Sequence, residues 1–118
     1  MELLDRTTAA YVLDRMIAES ARYGRRLSVV RLRMPAEEVA EATERLRFAL
    51  RDADVLVRWT EEDVLALLPE TDIGGADVTA ERLREAIRDL PVHAGTAQWE
   101  GETGDVLLRR AGWAAVRP

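Results

Sequence analysis

Residues Arg51–Pro69 read RDADVLVRWTEEDVLALLP and decide the fold of this chain. Two apolar runs, Val55–Trp59 and Val64–Leu68, flank the polar break Thr60–Asp63. Short runs rich in valine, leucine and tryptophan around a four-residue polar break are typical of a β-hairpin. The segment therefore predicts two antiparallel strands with acidic side chains at their tip.

The segments on either side of the hairpin extend this pattern into a complete domain. Apolar side chains at helical or alternating spacing predict a further set of helices and strands. In chain order these are a helix at 8–23, a strand at 27–34, a helix from Pro35 to about Arg51, a helix at 73–89, a strand at 92–99 and a helix at about 104–116. The core order strand, helix, strand, strand, helix, strand is the ferredoxin-like βαββαβ arrangement. We expect an α+β fold in one domain over residues 1–118, with an antiparallel sheet, helices on one of its faces and an extra helix at each end.

Composition limits the classes of function. The 118 residues include no cysteine, which excludes thiolate metal sites and thiol nucleophiles. The net charge of −5 and the absence of a basic block argue against a nucleic-acid ligand. RNA binding on a βαββαβ core is disfavoured further, because the central strands lack an aromatic pattern. No apolar run is long enough to cross a membrane and the N-terminus does not resemble a signal peptide, so we expect a cytoplasmic protein without membrane insertion.

Several strings resemble, in order and spacing, those of the GGDEF (diguanylate cyclase) family. Leu50–Arg58 is similar to the family's L-R-x-x-D-x-x-x-R lead-in, and Val64–Thr71 to the strand and P-x-T turn after its signature. Weaker similarities lie at Asp5–Tyr11, Ala80–Leu83, Gly95–Ala97 and Leu107–Ala115. The resemblance covers nearly the whole chain and implies a ferredoxin-like palm.

The resemblance implies chemistry that this sequence departs from at three places. The family joins two GTP molecules with metal ions held by carboxylates, one of them in a D-x-D string that is Arg31-Leu32-Arg33 here. The signature reads Thr60-Glu61-Glu62-Asp63-Val64, so that Thr60 and Glu61 replace its two glycines. Met34-Pro35 leads directly into a helix, where the family has guanine-binding strings. These departures predict no enzyme, no catalytic residue, no metal and no cofactor, and make the tip a solvated turn.

A second, regulatory site of the family binds cyclic di-GMP through an R-x-x-D motif placed five residues before the signature. Arg51-Asp52-Ala53-Asp54 has this motif and spacing, and Arg82 falls where the family supplies a further arginine. The resemblance thus makes Arg51, Asp54 and Arg82 candidate ligands of cyclic di-GMP, since guanidinium groups bind phosphate and stack on guanine. A structural interpretation is also open: Arg51 and Asp54 can fix the turn into the strand, and Arg82 can belong to a solvated helix face.

The sequence leaves three hypotheses. The first is a catalytically inactive GGDEF-like regulatory or protein-interaction domain that acts as a cyclic di-GMP receptor, with a protein partner, an adjacent domain or a second copy beside it. The alternative is a purely structural or dimerisation module without a ligand. The third is an active nucleotidyl transferase, a diguanylate cyclase that uses Glu62 and Asp63.

Overall fold

A computed structural model of the chain describes residues 4–116, with side chains described for residues 4–112. Trp113 and Ala115, in the predicted last helix, therefore have side chains outside the described residues. Short 3-10 turns at Ala36–Glu38 and Arg47–Ala49 replace the ends of the helix predicted to run from Pro35 to Arg51. The elements are α1 (Arg6–Tyr23), β1 (Leu27–Arg33), α2 (Val39–Leu46), β2 (Val55–Arg58), β3 (Asp63–Pro69), α3 (Ile73–Ala86), β4 (His93–Gln98) and α4 (Gly104–Val116).

The four strands form one antiparallel sheet in the order β2-β3-β1-β4. Strand β1 lies in the middle, where Val30 is opposite Ala66 of β3 on one side and Thr96 of β4 on the other. Since β1 and β3 are covered on both faces, nearly all of their side chains are buried or partly buried. This topology confirms the predicted ferredoxin-like α+β fold.

Helices cover both faces of the sheet, whereas the sequence predicted them on one. Val30 and Leu32 of β1 point toward α2 and α3 and belong to one apolar core. Leu27 and Val29 point the other way, into a second core completed by α1 and α4. Successive side chains of a strand alternate between the two faces, so β1 contributes to both cores. Arg31 lies two residues after Val29, on the same face of β1, and therefore faces α4.

Helices α1 and α3 begin at side chains that accept hydrogen bonds from otherwise unpaired backbone N–H groups. Asp5 caps α1 by accepting a hydrogen bond from Thr8 N at 2.8 Å, and Asp72 caps α3 in the same way from Gly75 N. Gly24 ends α1 with a φ of 65°, a left-handed conformation that favours glycine. Within residues 4–116, no helix combines the length and the apolar character that a membrane span requires.

Among the described residues, Leu4 pairs with the outer edge of β2. Leu4 N donates to Leu56 O at 3.4 Å, and Arg58 N donates to Leu4 O at 3.2 Å. These bonds form an isolated parallel bridge between Leu4 and Val57. Two backbone groups at this edge of the sheet, Leu56 O and Arg58 N, are therefore paired.

Candidate functional site

The hairpin tip is held by hydrogen bonds from its own side chains. Thr60 Oγ1 accepts from Asp63 N at 3.0 Å and donates to Asp63 Oδ2 at 2.7 Å. Arg58 donates to the carbonyl oxygens of Thr60 and Glu61. Among the described non-glycine residues only Glu70 has a positive φ, so the turn does not require glycine at Thr60 or Glu61. The chain thus closes this turn with a threonine and an arginine.

Asp63 is buried, contrary to the prediction of a fully solvated tip. Its side chain is only 5% exposed and accepts a hydrogen bond from Arg31 Nη2 at 3.1 Å. Glu61 and Glu62 are exposed as predicted. Burial acts to raise the pKa of Asp63, but the hydrogen bonds from Arg31 and Thr60 outweigh it and hold that pKa below its ordinary value of 3.8. Asp63 is therefore an ionised carboxylate in a mostly closed site.

This pairing was not predicted, because it follows from the sequence only once α4 is known to cover one face of β1. Arg31 lies two residues after Val29, on the face of β1 that α4 covers, and Asp63 has the same parity as the buried Leu65. A charged side chain placed under a helix needs a partner. That pattern identifies Arg31 as a residue with a buried contact.

The tip as it stands does not fit a divalent cation. Arg31 lies where the family resemblance calls for a carboxylate, and its guanidinium already balances Asp63. Glu62 is exposed and lies 3.8 Å from Arg33, which is a second cation. Within residues 4–112 there is no group of three or more histidine, cysteine, aspartate or glutamate side chains arranged to hold a metal. A cation binding at Asp63 has to displace Arg31.

A second arginine–aspartate pair lies at the other end of the hairpin. Arg51 Nη2 donates to Asp54 Oδ1 at 3.0 Å, to Thr71 Oγ1 at 2.8 Å and to Pro69 O at 3.2 Å. Asp54 also accepts from Arg51 N at 2.9 Å. These bonds join the turn before β2 to the end of β3. Hydrogen bonding to Asp54 raises the pKa of the Arg51 guanidinium, which stays charged.

The three predicted ligand residues have different surroundings. The Arg51 side chain is 54% exposed, whereas that of Asp54 is 2% exposed and faces Arg51. Arg82 lies on the exposed side of α3, nine residues after Ile73 and thus about 13 Å along the helix axis. Within the described residues, no hydrogen bond or ion pair joins Arg82 to Arg51 or Asp54. The structure brings Arg51 and Asp54 together and leaves Arg82 apart.

A small cavity adjoins the turn that contains Arg51. It encloses about 140 Å³, and its lining includes Ala53, Pro69, Arg25 and Arg26. The two arginines pair with acids at the surface, Arg25 with Glu70 at 3.6 Å and Arg26 with Asp72 at 2.9 Å. The sequence analysis did not select them. Their position directly before β1, the neighbour of β3, is the signal that places them near Pro69.

Comparisons with known proteins find solved structures that share this fold. No protein-family model matches the chain. The chain is 36% identical over 84 residues to the diguanylate cyclase DgcP of Pseudomonas aeruginosa. The matched segment covers 61% of this chain but only 12% of DgcP. Diguanylate cyclase SiaD of Pseudomonas aeruginosa, solved with its activator SiaC, superposes with a TM-score of 0.89 at 22% identity, over 97% of this chain and 54% of that one. The active GGEEF domain of a diguanylate cyclase from Vibrio cholerae gives 0.87 at 16% identity, over 97% and 89%.

A third solved structure holds a ligand. The GGDEF domain of DgcB from Caulobacter crescentus, in complex with cyclic di-GMP, has a TM-score of 0.85 at 16% identity, over 96% of this chain and 83% of that one. The resemblance predicted from the sequence is confirmed: this chain has the fold of GGDEF domains. The prediction that the chain is not an enzyme is contradicted, because the relatives are diguanylate cyclases and one of them is an active domain.

Proposed function

We propose, from the premise that this chain has the fold of GGDEF domains, that it is a regulatory domain of a cyclic di-GMP signalling protein. In this proposal it binds the dinucleotide at Arg51 and passes the binding event to a protein partner, an adjacent domain or a second copy. The observation that carries the proposal is the Arg51 side chain, which is fixed on one edge and open on the other.

Arg51 is organised for an anionic ligand before the ligand arrives. Three acceptors hold its Nη2 group, while Nη1 donates no hydrogen bond to any described residue. A guanidinium held in one orientation loses little freedom when it binds phosphate or stacks on a base. Asp54 therefore acts in this proposal by positioning Arg51, and not by contacting guanine.

The neighbouring arginines add positive charge on the same side of the turn. Arg25 and Arg26 line the cavity beside Ala53 and Pro69, and each pairs with an acid at the surface. Exposed ion pairs contribute little free energy, about 0–1 kcal/mol, so a phosphate can replace Glu70 or Asp72 as their partner. The cyclic dinucleotide carries two phosphates, so that one can bind Arg51 while the other binds Arg25 or Arg26.

The involvement of a partner is supported by the sizes of the relatives. The chain spans 12% of DgcP and about half of SiaD, so the corresponding domain is one part of those proteins. SiaD was solved with its activator SiaC. A domain that recognises a small ligand at an exposed arginine needs a neighbour to carry the signal further, and we propose that such a neighbour exists here.

Titration calorimetry with cyclic di-GMP tests the proposal. We expect binding by the wild-type chain and a loss of affinity of at least about tenfold in Arg51→Ala, the effect of losing a charge-assisted hydrogen bond. Arg82→Ala is the matched control and should bind like the wild type, since it removes an exposed arginine that, within the described residues, no hydrogen bond or ion pair joins to Arg51 or Asp54. The proposal fails if the wild type binds no ligand at tens of micromolar, or if Arg51→Ala binds equally well.

A second candidate function is the cyclase reaction itself, which the 36% identity to a diguanylate cyclase favours. Its carboxylates would be Glu62 and Asp63, and Arg31 would have to leave Asp63 for a metal to bind there. Incubation with GTP and either Mg²⁺ or Mn²⁺, followed by chromatography of the nucleotides, tests it. A metal-dependent product that is lost in Asp63→Asn supports this candidate, and unchanged GTP in both proteins rejects it.

A further inference from the structure

We infer that Arg31 couples the position of helix α4 to the conformation of the hairpin tip. This inference rests on the contacts of Arg31 and is independent of which ligand the domain binds. Arg31 of β1 is then a mechanical link between α4 and the turn at Thr60–Asp63.

One guanidinium contacts both elements. Arg31 Nη1 donates to Leu108 O of α4 at 3.0 Å, and Nη2 donates to Asp63 Oδ2 at 3.1 Å. The side chain is 16% exposed, so both bonds lie largely out of water. A planar guanidinium fixes the relative directions of its donors. A displacement of the Leu108 carbonyl therefore moves the donor that holds Asp63.

Two glycines leave space for this link. A Cβ at Gly112 of α4 would lie 2.9 Å from Arg31 Nη1 and 3.1 Å from Cζ. Gly95 of β4 is directly opposite Arg31 in the sheet, so no side chain competes with Arg31 from that neighbour. Because Gly112 is one helical turn beyond Leu108, its missing side chain is what lets the guanidinium reach the helix backbone.

A movement of Arg31 changes the hydrogen bonds of the hairpin tip. Asp63 Oδ2 accepts from Arg31 and also from Thr60 Oγ1, and the same threonine oxygen accepts from Asp63 N. Loss of the Arg31 bond therefore alters the hydrogen bonds that close the turn. Trp59 N and Thr60 N, which donate to Asp63 O at 2.9 and 3.3 Å, are the backbone groups in which the change can be detected.

Amide hydrogen exchange of the variant Gly112→Ala tests the coupling from the helix side. The added methyl group meets the flexible end of Arg31, so the fold is retained while the guanidinium is displaced. We expect exchange at Trp59 and Thr60 to accelerate roughly tenfold, the factor for losing a charge-assisted hydrogen bond. Gly74→Ala in α3 is the matched control, because its methyl group meets only Asp72 Oδ1 at 3.5 Å, and should leave the tip unchanged.

The coupling must also act in the reverse direction, because it is a free energy shared by two sites. Asp63→Asn should shift the amide resonance of Gly112, and in that background Gly112→Ala should no longer change exchange at the tip. Equal effects of Gly112→Ala with and without Asp63→Asn overturn the inference. If Gly112→Ala does not fold, Arg31→Lys serves instead, because one ammonium group cannot keep the two fixed donor directions of the guanidinium. A change in both the Gly112 resonance and the exchange at Trp59 supports the inference, and an unperturbed tip overturns it.

Discussion

The two ends of the β2–β3 hairpin carry the same pair of residue types in opposite settings. At the tip, Arg31 is 16% exposed and its contact with Asp63 is enclosed between the sheet and α4. At the open end, Arg51 is 54% exposed although its partner Asp54 is as buried as Asp63. An arginine donates up to five N–H groups, and the enclosed one turns toward the protein while the exposed one keeps an edge toward solvent.

This difference shows that an arginine–aspartate pair has no fixed function. In the enclosed pair each charge is the main neutralising group of the other, so the pair stabilises one conformation. In the exposed pair the aspartate and two further oxygens orient a guanidinium whose remaining edge is available. The enclosed pair fills the space between the sheet and α4, whereas the exposed pair leaves one edge of the Arg51 guanidinium available to a ligand.

The largest expected effect comes from breaking the enclosed pair. Arg31→Met leaves Asp63 buried without its cation and should lower the free energy of unfolding by about 3 kcal/mol. The measurement is urea denaturation followed by circular dichroism. Arg33→Met is the control, since the Arg33 side chain is 46% exposed and lies 3.8 Å from Glu62, and it should stay within about 0.5 kcal/mol of the wild type. Equal losses in both variants would show that the Arg31 pair is no stronger than a surface contact.

Breaking the exposed pair should cost less. Arg51→Ala is expected to lower the free energy of unfolding by about 1–2 kcal/mol, since Asp54 keeps its hydrogen bond to the backbone N–H of residue 51. Asp52→Ala, an exposed change in the same turn, should have little effect. A loss in Arg51→Ala that matches that of Arg31→Met would remove the distinction between the two pairs.

The pH dependence of the free energy of unfolding tests the enclosed pair. The folded state holds the pKa of Asp63 below 3.8, so this group adds stability at pH values above its ordinary pKa. That contribution falls as the pH decreases through the folded-state pKa, because the protonated carboxyl no longer pairs with Arg31. We expect Asp63→Asn to lose less stability than the wild type on acidification below about pH 4. Parallel stability curves for the two proteins would contradict the assigned direction of the pKa change.

The smallest effect is expected at Arg82. Its side chain lies on the exposed side of α3, and Arg82→Ala should change the free energy of unfolding by less than about 0.5 kcal/mol. Thermal unfolding measured beside Arg51→Ala checks this. A large loss in Arg82→Ala would show that Arg82 has a structural partner and would require a different control for ligand binding.

Local patterns were sufficient to predict the order of the elements. The polar break at Thr60–Asp63 and the helical or alternating spacing of apolar side chains each depend on a few neighbouring residues. Such short-range signals predict which segments form strands and helices. The resemblance to the family's R-x-x-D motif identified Arg51 and Asp54 together, and the two residues, three positions apart, form a contact within one turn.

The long-range contacts were not predictable in the same way. Arg31 meets Asp63 and Leu108 across separations of 32 and 77 residues. The sequence did not indicate that α1 and α4 cover the second face, so the buried contact of Arg31 was not predicted and Asp63 was expected to lie in a solvated turn. The ferredoxin-like pattern predicts the sheet, but the added terminal helices decide which of its polar side chains are buried.

The bridge formed by Leu4 has a consequence for self-association. An uncovered strand edge is a template on which another extended chain can add, which leads to aggregation. Here one residue satisfies the carbonyl of Leu56 and the N–H of Arg58 at the edge of β2. Leu4 therefore hinders intermolecular strand addition at these two groups, and its detachment would expose them for pairing with another chain.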